Sequence, residues 1–563
     1  MSINYSQQTS KTTSSLSSDK RYVVGLALLF LWMLWGIFPL FNSYEGDAQF
    51  IIVGASVLCN DGFQLPPAIS YQYGMQPAII WIIAALHKLI PFLTCSEIYC
   101  GLTALAALAA IPLRVEFVHR LTGFGRDIVL LAFFLLPETY AISTYPNTAI
   151  FADILALGVF LCIIKGSGPL AYLPLLCIAP LFRIDIIIIY PVVFFLWMHA
   201  GEGLSKSLKR SIVAAIVVLA VMSLSYWLLK ANPSRVLANA ESNNQSHLIM
   251  TVVCISLFTF YNIVNLILVP IGIWLKAKQR DFLLLLVAIV PMILLHYIYR
   301  NNGGAAKHYL YLLSFIAILT SQALCFLGEV ARRHRWAGWT MLVILLLYYT
   351  LSIRFHIPDR PWRNSPTSFS QAGFHLPLFA ESHTPYHLEI GIGAGLGVAT
   401  SDELMLLSGG LFYTDYIHRI KNSDYQNLHK AKDYLDQSED EKYGMLFLEW
   451  SDVPLYPSLL LDEGYHFRRL DKESFELSNG NRTVTVYNMT TEHECDLIVS
   501  QIKKALSKRN PADGHLYILT QADSYIYTLE NLSKQGLCHQ VAHGLYLIQT
   551  DEVIDKSALI SNS

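Results

Sequence analysis

The segment FNSYEGDAQF sets two carboxylates, Glu45 and Asp47, two residues apart in an aromatic and glycine setting. A carboxylate held there can take the proton of a hydroxyl as its oxygen attacks an electrophile. The plain alternative is that acids at a membrane edge serve solubility. YQYGMQP brings Tyr71, Tyr73 and Gln76 ahead of an apolar stretch, and PETYAISTYPN brings Glu138 and Asn147. In LFRIDIIIIY, Arg183 and Asp185 interrupt a hydrophobic run, where charge is costly unless it is paired or used. The bland reading there is a structural pair, with Arg183 snorkelling outward. RNNGGAAKHYLYLL gathers Arg300, Lys307 and His308 around Gly303 and Gly304. Cations beside flexible backbone at the start of a helix suit a phosphate; ordinary headgroup contact is the alternative. A proton acceptor, a phosphate clamp and polar pocket residues are the parts that group transfer from a phosphorylated donor needs.

The elements that must position these residues are membrane spans. Only 15% of the 563 residues are charged, against roughly 25% in ordinary soluble proteins, while 53% are hydrophobic and mean hydropathy is +0.41. The net charge of -2 gives a polyanion no global attraction, so no nucleic acid is expected as a partner. Nine cysteines include no CxxC pair and no zinc-like His/Cys spacing, so no metal site is assigned.

Stretches approaching the roughly 20 apolar residues that a bilayer requires are expected near 22–41, 75–93, 99–113, 127–141, 148–164, 168–182, 184–198, 211–229, 248–274, 282–299, 309–327 and 337–353. The basic loops at 114–126, Lys165, 199–210, 276–280 and 331–335 belong in the cytoplasm by the positive-inside rule. That places 137–147, the region near 180–184, 230–247, 300–308 and everything after 353 on the outer face, where all the residues named above collect. Before residue 114 the segments 75–93 and 99–113 must together make one net crossing. The expected architecture is therefore a polytopic α-helical membrane protein with about 11 to 13 transmembrane helices, one of the twelve segments being less than a full span, or 48–60 crossing as well.

Three parts are expected: a Ser/Thr-rich cytoplasmic tail at 1–20, a transmembrane domain at 21–353, and a C-terminal extracytoplasmic domain at 354–563. The last alternates short apolar runs such as MLFLEW, RTVTVYNM and HLYILTQ with polar helical stretches, the pattern of an α/β domain. Its GIGAGLG places Gly391, Gly393 and Gly395 at the wrong spacing for a dinucleotide turn. Cys495 and Cys538 fall in that domain, where an oxidising compartment would permit them to pair.

In organisation, the first 330 residues resemble the GT-C superfamily of integral-membrane glycosyltransferases, which use polyprenyl-phosphate-linked sugar donors. The resemblance rests on SYEGDAQFIIVGASVLCNDGF followed by YQYGMQPAIIWIIAAL, and on RNNGGAAKHYLYLLSF. This chain has Glu-Gly-Asp where better-known members have a paired acidic motif, and Gln76 before a single Pro77 where some relatives carry a KPP-like signature. The resemblance implies that Asp47 is the catalytic acid–base residue and that His308, with Lys307 beside it, binds the donor phosphate. The Ser/Thr-rich inner tail, the short loops and the outer α/β domain point to a bacterial inner membrane, with the C-terminal domain periplasmic. The expected reaction is a single inverting displacement. Asp47 accepts the proton of an acceptor hydroxyl on a cell-envelope glycan or glycolipid, while His308, Lys307 and Arg300 stabilise the departing phosphate. Glu45, Tyr73, Gln76, Glu138, Arg183 and Asp185 are the candidates for lining the pocket or orienting the acceptor. No cofactor is required by this scheme, and a divalent cation is compatible with it. The competing classes are a lipid-linked glycan transporter or flippase, which inverted repeats and broken midplane helices would favour, and a noncatalytic envelope-assembly subunit.

Overall fold

A chain crossing lipid must satisfy its backbone polar groups within each segment, and the helix is how a single segment does so. In a computed structural model the apolar stretches form α1 (Ser14–Ile37), α2 (Gly46–Asn60), α3 (Pro77–Leu89), α4 (Cys95–Thr122), α5 (Arg126–Phe134), α6 (Ala149–Ile164) and α7 (Pro169–Phe182). A 3-10 turn at Ile184–Ile189 leads into α8 (Pro191–His199), and α9 (Leu204–Leu228), α10 (Ile249–Lys278), α11 (Phe282–Ile298), α12 (Leu313–Arg333) and α13 (Arg335–Thr350) follow. The structure describes residues 14–37, 46–60, 73–136, 147–231, 249–298, 310–356, 374–379, 386–392, 403–407, 424–438, 440–447, 455–470, 474–487, 502, 505–509, 514–520 and 523–548. Among these, Cys95–Thr122, Leu204–Leu228 and Leu310–Arg333 are long and apolar enough to cross a membrane by themselves. The chain is a multi-helix membrane protein.

Every expected span meets a helix, and the one in the 75–93 segment is short. Its helix is only the 13 residues of α3, about 20 Å long. Ile79, Ile80 and Ile83 of α3 lie in one buried cluster with Phe50, Ile51 and Ile52 of α2 and with Tyr443, Tyr456 and Leu460 of the C-terminal part. Part of the apolar run of 75–93 is thus buried against protein. Helix α1 also begins at Ser14, inside the expected tail, and Asp19 lies 3.7 Å from Arg126.

One end of the bundle gathers charge. Arg21 of α1 meets Asp127 of α5 at 2.8 Å, Glu116 near the end of α4 accepts from Arg126 at 2.9 Å, and Lys276 near the end of α10 stands 5.6 Å from the Phe124 ring. Two of the basic loops expected on the inner face, 114–126 and 276–280, thus meet there. Elsewhere the helices touch closely: a Cβ on Gly272 of α10 would lie 2.2 Å from the Leu319 carbonyl oxygen of α12.

After α13 the chain passes directly into β1 (Leu351–His356), so the first strand begins just before the expected boundary at 354. With β2 (Phe374–Phe379), β3 (Tyr386–Ile392) and β4 (Glu403–Leu407) it forms an antiparallel sheet in the order β2-β3-β1-β4. Gly391 sits in β3, which pairs antiparallel on both sides, whereas a dinucleotide turn needs a parallel strand feeding a helix. A second sheet comprises β5 (Lys442–Phe447), β6 (His466–Arg469), β7 (Phe475–Ser478), β8 (Thr483–Tyr487), β9 (His515–Leu519), β10 (Cys538–Ala542) and β11 (Leu545–Ile548). Their order is β10-β11-β9-β5-β8-β7-β6, parallel at its centre (β9, β5, β8) with antiparallel flanks. Helices α14 (Asp424–Gln437), α15 (Leu455–Asp462) and α16 (Asp523–Lys534) complete this part. The last carbonyls of α14 are closed off by Arg482, which donates to Leu435 and Asp436 at 2.7 Å each and to Ser438 at 2.9 Å.

Candidate functional site

At the end of the bundle opposite the charged loops, polar side chains from four elements meet in an apolar surrounding. Gln76 precedes α3, whose Pro77 opens the helix without needing a backbone donor. Its side-chain oxygen accepts a hydrogen bond from Thr148 Oγ1 at the start of α6. The neighbouring Asn147 turns its Oδ1 to the backbone N–H of Ala149 at 2.8 Å and receives a longer contact, 3.5 Å, from Arg183 Nη1. Arg183 closes α7 in extended backbone and donates from Nε to Asp185 Oδ2 at 2.8 Å. The other Asp185 oxygen accepts from Tyr311 OH at 2.8 Å, on the turn that opens α12. The chain Gln76, Thr148, Asn147, Arg183, Asp185, Tyr311 is thus continuous across α3, α6, the α7–α8 turn and α12.

Its members are shut away from solvent: Gln76 is 3% exposed, Asn147 4%, Thr148 1% and Arg183 5%. A guanidinium is tolerable at that depth because Asp185 neutralises it, and Tyr311 holds the carboxylate in place. One donor is left over. Asn147 Nδ2 is buried with no hydrogen-bond partner among the described residues. A buried amide of that kind costs free energy until something accepts from it. Among the described residues there is no group of three His, Cys, Asp or Glu side chains that could hold a metal ion.

Tyr73 and Trp81 make a separate link beside this cluster. Trp81 Nε1 donates to Tyr73 OH at 2.7 Å, and Tyr73 OH donates to the Leu229 carbonyl at the end of α9 at 2.6 Å. Burial pushes the Tyr73 hydroxyl up to about 12, so it remains a donor at any physiological pH.

Of the residues singled out from the sequence, Gln76, Asn147, Arg183 and Asp185 come together here, Tyr73 stands in the neighbouring link, and Tyr71 lies outside the described residues. Asp47 is the second residue of α2, and its side chain lies outside what the structure describes. Glu45, Glu138, Arg300, Lys307 and His308 lie outside the described residues, as does Cys495. Cys538 is free, buried, and its thiol faces the Leu529 carbonyl at 3.4 Å. Sequence reasoning missed Thr148 and Tyr311, which look in sequence like ordinary interfacial residues. It also missed the fully buried pair Arg114 and Asp153, 39 positions apart, whose Nε and Nη2 contacts to Oδ2 measure 2.9 and 2.7 Å.

No family model matches the chain, and no curated protein matches it in sequence. Among solved structures, ArnT from Cupriavidus metallidurans in the apo state aligns with 93% of this chain and 98% of that chain, at 11% identity and a TM-score of 0.52. The chain has a fold similar to that of ArnT. A crystal structure of the same ArnT bound to undecaprenyl phosphate aligns over 58% of this chain and 63% of that chain, at 13% identity and a TM-score of 0.39. At such identities the likeness is one of fold.

Proposed function

We propose that this protein is an inverting GT-C glycosyltransferase that moves a sugar from a polyprenyl-phosphate donor to a hydroxyl of a cell-envelope glycan or glycolipid on the outer face of a bacterial inner membrane. The observation that carries the reading is the buried polar chain from Gln76 to Tyr311, with a guanidinium already neutralised and an amide donor at Asn147 still unsatisfied. Such a site suits a headgroup oxygen presented at the end of an apolar bundle, where a lipid such as the undecaprenyl phosphate crystallised with ArnT would keep its tail in the bilayer.

The topology in this proposal has eleven crossing helices, α1 and α4 to α13. Helices α2 and α3 and everything after residue 350 lie outside. It is supported by the shared core of α2, α3 and the C-terminal part, and by the meeting of the 114–126 and 276–280 loops at the other end. Helix α1 starts at that charged end, and its 24 residues rise about 36 Å. Residue 46, where α2 begins, therefore follows α1 at the end where the polar chain lies.

In the proposed reaction Asp47 takes the proton of the acceptor hydroxyl as that oxygen attacks the anomeric carbon. The bond to the polyprenyl phosphate breaks in the same displacement, which inverts the configuration. His308, Lys307 and Arg300 hold the departing phosphate, and Arg183 with Asn147 steady the donor from below. Glu45 and Glu138 orient the acceptor, and the C-terminal part covers the opening towards an extended glycan.

The test is mass spectrometry of lipids copurified with wild type, Asp47→Asn and His308→Ala, combined with turnover of the lipid found. A polyprenyl-phosphate sugar retained by wild type and Asp47→Asn but reduced in His308→Ala is expected, with turnover lost by at least about 100-fold in Asp47→Asn. Bulk phospholipid alone in all three proteins sinks the proposal.

A further inference from the structure

A groove of about 340 Å³ runs along α9, with α7 and α8 as its other walls. Helix spacing decides what stands at its end. Residues four apart lie one above another on a helix, so Ser211, Ala215 and Leu219 form one row of the lining, and Ala214 and Val218 form the next. Traced back to the start of α9, the first row begins at Ser207 and the second at Lys206 and Arg210. Both cations turn to Glu202: Arg210 donates to its Oε1, and Lys206 Nζ lies 3.6 Å from the same oxygen. Two positive charges thus share one carboxylate oxygen, and Lys209 beside them is exposed. Ser207 is 0% exposed, and its hydroxyl has no hydrogen-bond partner among the described residues. The groove itself offers little to a polar group. Ser211 Oγ donates to the Ser207 carbonyl at 2.9 Å, and at the far end Tyr190 OH donates to the Leu176 carbonyl at 2.6 Å.

We propose that this groove holds one chain of an anionic phospholipid of the inner leaflet, with the lipid's phosphate at Lys206, Lys209 and Arg210. The choice of leaflet rests on the topology proposed above, which puts the start of α9 in the cytoplasm. The choice of headgroup rests on charge. Glu202 neutralises only one of the cations around it, and a bound phosphate completes what it begins; basic pockets between helices on the cytoplasmic side hold anionic headgroups in this way. Length agrees as well. From Lys206 to Leu219, α9 rises about 20 Å, the depth of one leaflet with its headgroups. The tail of a polyprenyl phosphate is the rival occupant. Its phosphate would have to sit at the opposite end of the groove, where Ile187, Tyr190 and Pro191 supply no cation and the Tyr190 hydroxyl is already engaged.

The experiment uses the full chain in detergent, read by native mass spectrometry after exchange with phosphatidylglycerol, phosphatidylethanolamine or phosphatidylcholine of matched acyl chains. Wild type is expected to retain one phosphatidylglycerol at least about tenfold more strongly than phosphatidylcholine. Lys206→Gln combined with Lys209→Gln should cut that preference by at least about fivefold. Ala215→Trp, at an exposed position lining the groove, should abolish retention of all three lipids with helical circular dichroism unchanged. Equal retention of the three lipids, or a preference that survives both sets of changes, overturns the proposal. A copurified polyprenyl phosphate that Ala215→Trp displaces also overturns it and gives the groove to the donor's tail. For the leaflet, a Lys209→Cys variant is exposed to a membrane-impermeant maleimide in spheroplasts, and labelling at position 209 is expected only after lysis. Labelling of intact spheroplasts, with the phosphatidylglycerol preference kept, overturns the inner-leaflet assignment together with the topology, a failure distinct from loss of the preference.

Discussion

Two buried arginine–aspartate pairs stand in one bundle, and they are built differently. Arg114 of α4 and Asp153 of α6 meet through two contacts to one carboxylate oxygen, with side chains 0% and 4% exposed. Arg183 and Asp185 are only two residues apart, and Asp185 gives its second oxygen to Tyr311 while Arg183 reaches on to Asn147. The first pair joins two helices inside the bundle. The second sits at a helix end, in a cluster whose Asn147 amide has no acceptor among the described residues. The contrast shows what separates a strut from a site in an apolar medium: both neutralise a buried charge, and only one leaves hydrogen-bonding capacity over for a guest.

Changing one member of each pair puts that distinction to the test. The largest effect is expected from Asp153→Ala, which strands Arg114 in the core and should cost about 3–5 kcal/mol of stability. Turnover per folded molecule should hold, and Arg114→Leu combined with Asp153→Leu should recover most of the loss in a thermal melt. A double variant as unstable as the single one would show that the pair is more than a strut. Next comes Arg183→Ala, expected to lower turnover about 100-fold, roughly 2.7 kcal/mol of transition-state stabilisation, with a smaller change in melting temperature. Tyr311→Phe frees one carboxylate oxygen and should reduce turnover about tenfold, or about 1.4 kcal/mol. The smallest effect is expected from Tyr73→Phe, which removes the bond to the Leu229 carbonyl; about 1 kcal/mol of stability should go while turnover stays level. Equal losses of turnover in Tyr73→Phe and Tyr311→Phe would erase the boundary drawn around the site.

Much of this was legible beforehand. The run LFRIDIIIIY announced a buried charge pair because acid and base lie within one turn of the chain. The alternating runs MLFLEW and RTVTVYNM became β5 and β8, since period-two apolarity reads as a strand whatever lies around it. Apolar length alone did not decide the role of α3, because a helix buried against a protein core and a helix buried in lipid present the same side chains. Arg114 and Asp153 read as ordinary loop and span residues until α4 and α6 packed side by side.

Composition and charge, which act locally along the chain, were enough to establish that this protein enters a membrane and to expect its basic loops at one end, where 114–126 and 276–280 do meet. It took the packed molecule to show that α2 and α3 join the core of the C-terminal part and that Gln76, Asn147, Arg183, Asp185 and Tyr311 form one connected cluster. Those groups are separated by up to 235 positions, from 76 to 311. A hydrogen bond is set by distances of about 3 Å in space, a condition that spacing along the chain does not carry.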